Sequence, residues 1–235
     1  MTQDTGAAAR PPHDGHDWLQ DPQYRAAVVD LLGVLAYGEL TAFTRLAGDS
    51  ELAPTQPLKA AVAGLAVAEF RHYELLVGRL EEMGVEPEAA MAPFIRAVDA
   101  FHERTRPSTW LEGLVKAYVG DGLASDFYRE IAGFLPEPDR QLVLDVLADT
   151  GHAEFAVREV RAAIKADRRV PGRLSLWGRR LVGEAMTQSQ AVIAEHDALA
   201  ELIISGTGDL GGIGRLITRI TDAHTKRMKA LGLNP

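Results

Sequence analysis

Two short segments of this 235-residue chain place a carboxylate and an imidazole three residues apart. Glu69 and His72 form the first pair, and Asp149 and His152 form the second. A spacing of three is close to one helical turn, so both side chains of a pair leave the same face of a helix. The rest of each face is apolar, and a carboxylate on a buried face must be paired, protonated or bound to a metal. The spacing therefore points to buried metal ligands or to buried His–carboxylate pairs.

Each pair follows a predicted helix that has one acid in its apolar face. Glu39 interrupts the apolar face of the first such helix, and Asp121 interrupts that of the other. Four carboxylates would neutralise two divalent ions held about 3.5–4 Å apart, and one imidazole per ion would add a nitrogen ligand. The alternative is a metal-free polar layer, which must bury charges at several kcal/mol for each unpaired one. The predicted ligands of the two-metal site are Glu39, Glu69, His72, Asp121, Asp149 and His152.

The surroundings of Asp121 are unusual for the middle of a helix. Gly120 and Gly122 flank it, and each glycine there costs about 1 kcal/mol relative to alanine. We therefore expect another part of the chain to approach closely, a local bulge, or space for a ligand at this point. Asp126 is a fallback ligand, although it faces away from Asp121. Two tyrosines share the face of Asp121 and either line a pocket there or pack in the core: Tyr118 and Tyr128.

Apolar periodicity, caps and breaks predict helices throughout and no strands. Asp21 followed by Pro22 is a helix start, Ser108 is expected to cap a later helix, and Pro93 is expected to kink or begin a short one. Because short connections make long neighbouring helices antiparallel, the fold class is an all-α, antiparallel four-helix bundle with additional C-terminal helices. The predicted helices are residues 21–47, 57–84, 88–104, 109–135, 138–167, 175–205 and 210–231.

We expect one domain at residues 20–235, with the core bundle at about 21–167 and accessory helices at about 175–231. Residues 1–19 are polar and rich in glycine and proline, and we expect a disordered tail there. The chain has no cysteine, which excludes disulfides and thiolate metal sites and leaves His, Asp and Glu as ligands. No apolar run of membrane-spanning length and no signal-peptide pattern are found, so we expect a cytoplasmic protein without a membrane partner.

Three segments, AEFRHYELL, YVGDGLASDFYREI and LADTGHAEFAV, resemble the ferritin-like di-iron superfamily. Within it, the chain is similar to the tRNA hydroxylases that oxidise the isopentenyl side chain of a methylthio-isopentenyl adenosine. The resemblance implies a ferritin-like bundle that holds two iron ions, or alternatively manganese or a mixed pair, and activates O2 as a monooxygenase. It also implies a tRNA substrate and an electron-donor protein or reductase. The family has glutamates where this chain has Asp121 and Asp149, and the shorter aspartates ligate only if the backbone comes closer.

A basic stretch between Arg158 and Arg180 surrounds Trp177. The chain carries a net charge of −8, so tRNA binding would depend on this stretch. Its cations could bind RNA phosphates while the aromatic ring stacks on a base. Alternatively, the stretch is a solvated helix end whose cations match the negative end of the helix dipole. The candidate RNA-binding residues are Arg168, Arg169, Arg173, Arg179 and Arg180.

The sequence is therefore compatible with three functions. The first is a di-iron hydroxylase that acts on tRNA or on a small apolar substrate. The second is a ferritin-like metal-binding protein without an organic substrate, and the third is a non-catalytic helical scaffold. The oligomeric state is open, with a homodimer as one option.

Overall fold

The computed structural model describes residues 20–148 and 152–235, and within these ranges it contains helices and no strand. The all-α expectation is thus confirmed, while the expected tail at residues 1–19 lies outside the described residues. Two 3₁₀ turns, Ser50–Leu52 and Ala92–Phe94, connect helices. The α-helices are α1 (Pro22–Asp49), α2 (Gln56–Glu82), α3 (Pro87–Met91), α4 (Ile95–Arg104), α5 (Trp110–Ala132), α6 (Asp139–Val146), α7 (His152–Ala166), α8 (Val170–Glu195), α9 (Asp197–Thr207) and α10 (Leu210–Leu231).

The helix starts follow side-chain capping. The Asp21 carboxylate accepts a hydrogen bond from the N–H of Gln23 at 2.9 Å, as its position before Pro22 predicts. The cap of α5 is Thr109 rather than Ser108, because the Thr109 hydroxyl accepts from the N–H of Glu112 at 3.3 Å. The Glu112 carboxylate in turn accepts from the N–H of Ser108 at 2.8 Å. The expected boundary was therefore one residue early.

Two of the predicted long helices are interrupted. The helix expected at residues 138–167 is α6 and α7, and the helix expected at 175–205 begins earlier, as α8, and continues after a break as α9. His196 separates α8 from α9 with φ −128° and ψ 88°. Its ring stacks on Phe94 at 4.3 Å between centroids, and its Nδ1 lies 3.6 Å from a carboxylate oxygen of Asp30. Contacts with distant segments hold this break, so local periodicity does not reveal it.

The α1 and α2 helices form an antiparallel pair. Arg25, near the start of α1, donates a hydrogen bond to the carbonyl of Met83, just beyond the end of α2. In the middle of both helices, Glu39 lies beside His72. The pairing therefore sets the middle of α1 opposite the turn of α2 that carries the first acid-x-x-His pair.

The apolar side chains form two buried clusters. The first surrounds α1 and includes Leu31, Leu35 and Leu76. The second surrounds α5, which packs against α7, α8 and α10, and includes Val119 and Leu181. Both α8 and α10 bury apolar side chains in the second cluster, so the C-terminal helices form part of the core beside α5.

One segment, Pro22–Leu52, is long and apolar enough to cross a membrane by length and composition, which corrects the expectation that no such run exists. Half of its most apolar window is buried inside the protein, and a core helix of a soluble protein passes the same test. The packing of α1 against α2, α3 and α9 accounts for its apolar character.

Candidate metal centre and cavity

The antiparallel α1–α2 pair brings two acids and one histidine to a common point. Glu39 from α1 meets Glu69 and His72 from one turn of α2, and one ligand atom of each lies within 4.8 Å of the others. His72 Nδ1 is 3.4 Å from a carboxylate oxygen of Glu39 and 3.7 Å from one of Glu69. These three residues are the first half of the predicted two-metal site, and the structure brings them together.

The three side chains fit a metal ion. Within the described part of the chain, Glu39 Oε2 and His72 Nδ1 are buried without a hydrogen-bond partner. Their separations exceed the range of about 2.7–3.2 Å for N–H···O hydrogen bonds. Such buried atoms are costly unless a further group satisfies them, and two carboxylates with one imidazole form a donor set that suits iron or manganese. The arrangement can therefore hold a divalent cation between α1 and α2.

The same cluster holds an extra proton when no metal is bound. Burial raises the pKa of the Glu39 carboxyl well above its ordinary value, although His72 opposes this shift. The neighbouring carboxylates, Glu39 first and Glu69 second, raise the pKa of His72 to about 9. A metal ion must displace this proton, because histidine ligates through the neutral imidazole.

We expect the metal-free protein to lose stability as the pH rises from about 6.5 to 9. The folded pKa of His72 lies above its ordinary 6.5, so its stabilising contribution is complete below pH 6.5 and is lost as the pH passes about 9. Thermal unfolding in the presence of a chelator measures this loss of stability, because the melting temperature falls by about 2–4 °C for each kcal/mol lost. The His72→Gln variant is the control, and an identical slope in that variant would assign the pH dependence to other groups.

The cluster opens on a cavity of about 590 Å³ that lies between the two apolar clusters. Asp121 lines the same cavity, so four of the six predicted ligands border one space. Tyr118 and Tyr128 also line it and pack against the apolar clusters as well, so the pocket and core alternatives both stay open. Burial raises the pKa of Tyr128, and the charge of Glu39 adds to this, so the phenol stays protonated and can donate a hydrogen bond into the cavity.

The second acid-x-x-His pair is not described. Asp149 lies outside the described residues, and so does the side chain of His152, whose backbone begins α7. Ala153, the next residue, lines the cavity. The start of α7 therefore borders the same space as the first half of the site, and ligation by Asp149 and His152 stays a prediction.

The fallback ligand Asp126 has a different role in the structure. Its carboxylate accepts a hydrogen bond from Arg227 Nη2 of α10 at 2.5 Å. A Cβ at Gly122 would lie only 2.6 Å from Arg227 Cδ and Nε, whereas one at Gly120 would meet nothing closer than 3.7 Å. Gly122 therefore makes room for the arginine, which explains one of the two mid-helix glycines. The sequence analysis did not single out Arg227, and the glycine beside Asp121 was its one signal.

The arginine stretch is largely engaged within the protein. Arg169 pairs with Asp167 at 3.1 Å, and Arg173 Nε lies 3.8 Å from a carboxylate oxygen of Glu112. Trp177 donates its indole N–H to the carbonyl of Glu112 at 3.0 Å. Two more arginines donate to backbone carbonyls, Arg179 to Pro235 and Arg180 to Arg104, while Arg168 is exposed. Only Arg168 and Arg169 lie at the end of α7, and Arg173, Arg179 and Arg180 belong to α8, so both the helix-end alternative and RNA binding by the five arginines stay predictions.

Comparison with known proteins places this chain in a family. A search of curated proteins returns no match. Among solved structures, the fold is similar to protein 19 with aldehyde deformylating oxidase activity from Synechococcus, with a TM-score of 0.66 and 19% sequence identity over 93% of this chain and 95% of that one. At this identity the likeness shows the shared fold, which confirms the ferritin-like bundle. Residues 22–206 match the family model for the ferritin-like domain of actinomycetes, and the chain therefore belongs to that family.

Proposed function

We propose that this chain is a di-iron oxygenase that oxidises an apolar molecule held in the cavity beside Glu39, Glu69 and His72. The observation that supports it most is the position of these three residues, whose ligand atoms converge at the wall of a cavity large enough for an organic substrate. A metal-storage protein needs the ligands but not a mostly apolar cavity next to them.

Different residues of the chain would bind the metal ions and the substrate. Glu39, Glu69 and His72, with Asp121 and the second acid-x-x-His pair, would hold two iron ions, which when bound supply the reduction of O2 and the oxidation of the substrate. The apolar side chains of the cavity would bind and orient the substrate and displace water from its surface. The protonated Tyr128 hydroxyl offers a hydrogen bond at the same wall. Since O2 activation consumes electrons, the proposal includes an electron-donor protein or reductase.

The chemistry of the wall favours a small apolar substrate over a tRNA nucleoside. Leu35, Phe101, Leu123 and Ile193 are among the side chains that line the cavity. The solved neighbour's activity on an aldehyde supports an organic substrate for this fold. Hydroxylation of an isopentenyl group on tRNA is the second candidate, and exposed Arg168 and Arg169 are the residues that favour it.

The deciding experiment combines metal loading with oxygen uptake. The purified chain is loaded with ferrous iron without oxygen, and iron is measured by elemental analysis, for which we expect about two ions per chain. Oxygen uptake with a chemical reductant is then recorded with and without a ten-carbon apolar probe, and we expect the probe to raise the rate severalfold. Gly38→Phe should keep the iron and lose the stimulation, since Gly38 lines the cavity and a Cβ there meets nothing within 4 Å.

Other outcomes point to the other functions. Bound iron without stimulation by any apolar probe would indicate metal binding alone, and absence of iron would indicate a scaffold. Charge reversal of Arg168 and Arg169 is the matched surface control. This charge reversal should leave the probe-stimulated rate of oxygen uptake unchanged. The tRNA substrate would be supported instead if a modified nucleoside disappeared from bulk tRNA in a deletion strain.

A further inference from the structure

Arg227 places a guanidinium at the wall of a cavity whose lining is mostly apolar. It comes from α10, beyond residue 206, where the match to the family model ends. Its side chain is 14% exposed and lines the cavity together with its partner Asp126. It crosses α5 at Gly122, directly after the candidate ligand Asp121. The guanidinium therefore reaches the same cavity that Glu39, Glu69 and His72 line.

The hydrogen-bonding capacity of this guanidinium is only partly used. An arginine has five N–H donors, and the acceptor of Arg227 in the described part of the chain is one oxygen of Asp126. Arg227 Nε is buried and has no hydrogen-bond partner among the described residues. A buried donor without an acceptor is costly, so a guanidinium placed at a cavity wall is suited to an oxygen supplied by a ligand.

The charges around Arg227 favour a neutral oxygen over an anionic one. Asp126 already balances the cation at 2.5 Å. Arg129 also approaches Asp126, but at 4.0 Å and with half of its side chain exposed, so solvent screens its charge. His224, buried one turn before Arg227 on α10, has its pKa lowered by burial and by Arg227, so it adds no second cation. Asp121, directly before Gly122, places a further acid at the same cavity and disfavours a carboxylate there.

We propose that Arg227 binds the oxygen of a neutral carbonyl group on the substrate, with Asp126 setting its position and cancelling its charge. This inference rests on the proposed function, since it names the polar group of the apolar substrate. It makes Arg227 a specificity-determining residue that the C-terminal helix contributes to a site built mainly by α1, α2 and α5.

The test compares three ten-carbon probes that differ only in the end group: decane, decan-2-one and decanoate. Binding is measured by titration calorimetry on the full chain, with and without iron. We expect the wild type to bind decan-2-one at least about tenfold more tightly than decane, because one charge-assisted hydrogen bond contributes about this factor to the affinity. Arg227→Gln should remove this preference while leaving decane affinity unchanged.

Two further substitutions keep the proposal testable if Arg227→Gln fails to fold. Asp126→Asn keeps the guanidinium but removes the balancing charge, so the preference should move from decan-2-one to decanoate, which a purely structural role would not produce. Gly122→Ala should displace Arg227 and weaken decan-2-one binding, because its Cβ would lie 2.6 Å from the arginine side chain. Gly120→Ala, with its nearest contact at 3.7 Å, is the matched control.

The results separate this inference from the proposed function. A ketone preference that survives Arg227→Gln, or a wild type that prefers decanoate, overturns the role of Arg227. A chain that takes up no iron but keeps an Arg227-dependent ketone preference overturns the di-iron assignment and supports the carbonyl site.

Discussion

Replacing Glu39 by glutamine is expected to lower metal affinity at least about a hundredfold, since loss of an outer partner of a ligand already costs 10–100-fold. Glutamine has nearly the same shape as the carboxyl but cannot neutralise a cation. At saturating metal, stabilisation follows the ratio of metal concentration to dissociation constant, and a hundredfold loss removes about 2.7 kcal/mol. For a chain of this size, the metal-dependent rise in melting temperature should shrink by about 5–10 °C.

The metal-free variant provides the fold control for this prediction. Burial raises the pKa of the Glu39 carboxyl and so disfavours its charged form, and glutamine has nearly the same shape without a charge, so the melting temperature in chelator should stay within a few degrees of wild type. Glu74→Gln is the matched change, because Glu74 is an exposed acid on α2, the helix that carries Glu69 and His72. Differential scanning calorimetry with and without metal makes the comparison. An equal metal-dependent rise in wild type and Glu39→Gln would remove Glu39 from the site.

The convergence of Glu39, Glu69 and His72 could be predicted from the sequence, for a local reason. Glu69 and His72 share a helical face because of their spacing alone, and the apolar residues around them fix that face inward. Glu39 follows from the same argument on α1, and its contact with His72 at 3.4 Å needs only that α1 and α2 pack as an antiparallel pair. Short connections make that pairing predictable.

What the sequence misses depends on contacts between distant segments. Arg227 lies 101 residues from Asp126, and no periodicity within α10 indicates that it reaches α5. The break at His196 depends on Phe94 and Asp30, which are also distant from it along the chain. The glycine at 122 signals a close approach but not which residue approaches. Local patterns therefore locate three candidate metal ligands, whereas the position of Arg227 at the cavity depends on the tertiary packing of α10.

Two glycines of α1, Gly33 and Gly38, also show what the sequence does not reveal, because both are mid-helix glycines but their surroundings differ. A Cβ at Gly33 would lie 2.2 Å from the backbone oxygen of Ala90 and 2.8 Å from its carbonyl carbon. A Cβ at Gly38, in the same helix, would meet nothing within 4 Å. The backbone of α3 thus packs directly on α1 at Gly33, and no flexible side chain is available to move aside.

Gly33→Ala is therefore expected to destabilise the protein by at least about 3 kcal/mol, the upper range for overpacking, because α3 must move away from α1. That corresponds to a fall of roughly 6–12 °C in melting temperature for a chain of this size. Gly38→Ala should instead stabilise by up to about 1 kcal/mol, since alanine is the better helix former. Thermal unfolding of both variants in chelator measures the difference, and equal effects of the two changes would contradict the close α1–α3 contact. The α4 helix follows α3 through one 3₁₀ turn and carries Phe101 and His102 to the cavity wall. Gly33→Ala should therefore also weaken binding of the decane probe. A loss of stability with unchanged decane binding would show that the cavity wall keeps its shape when α3 moves.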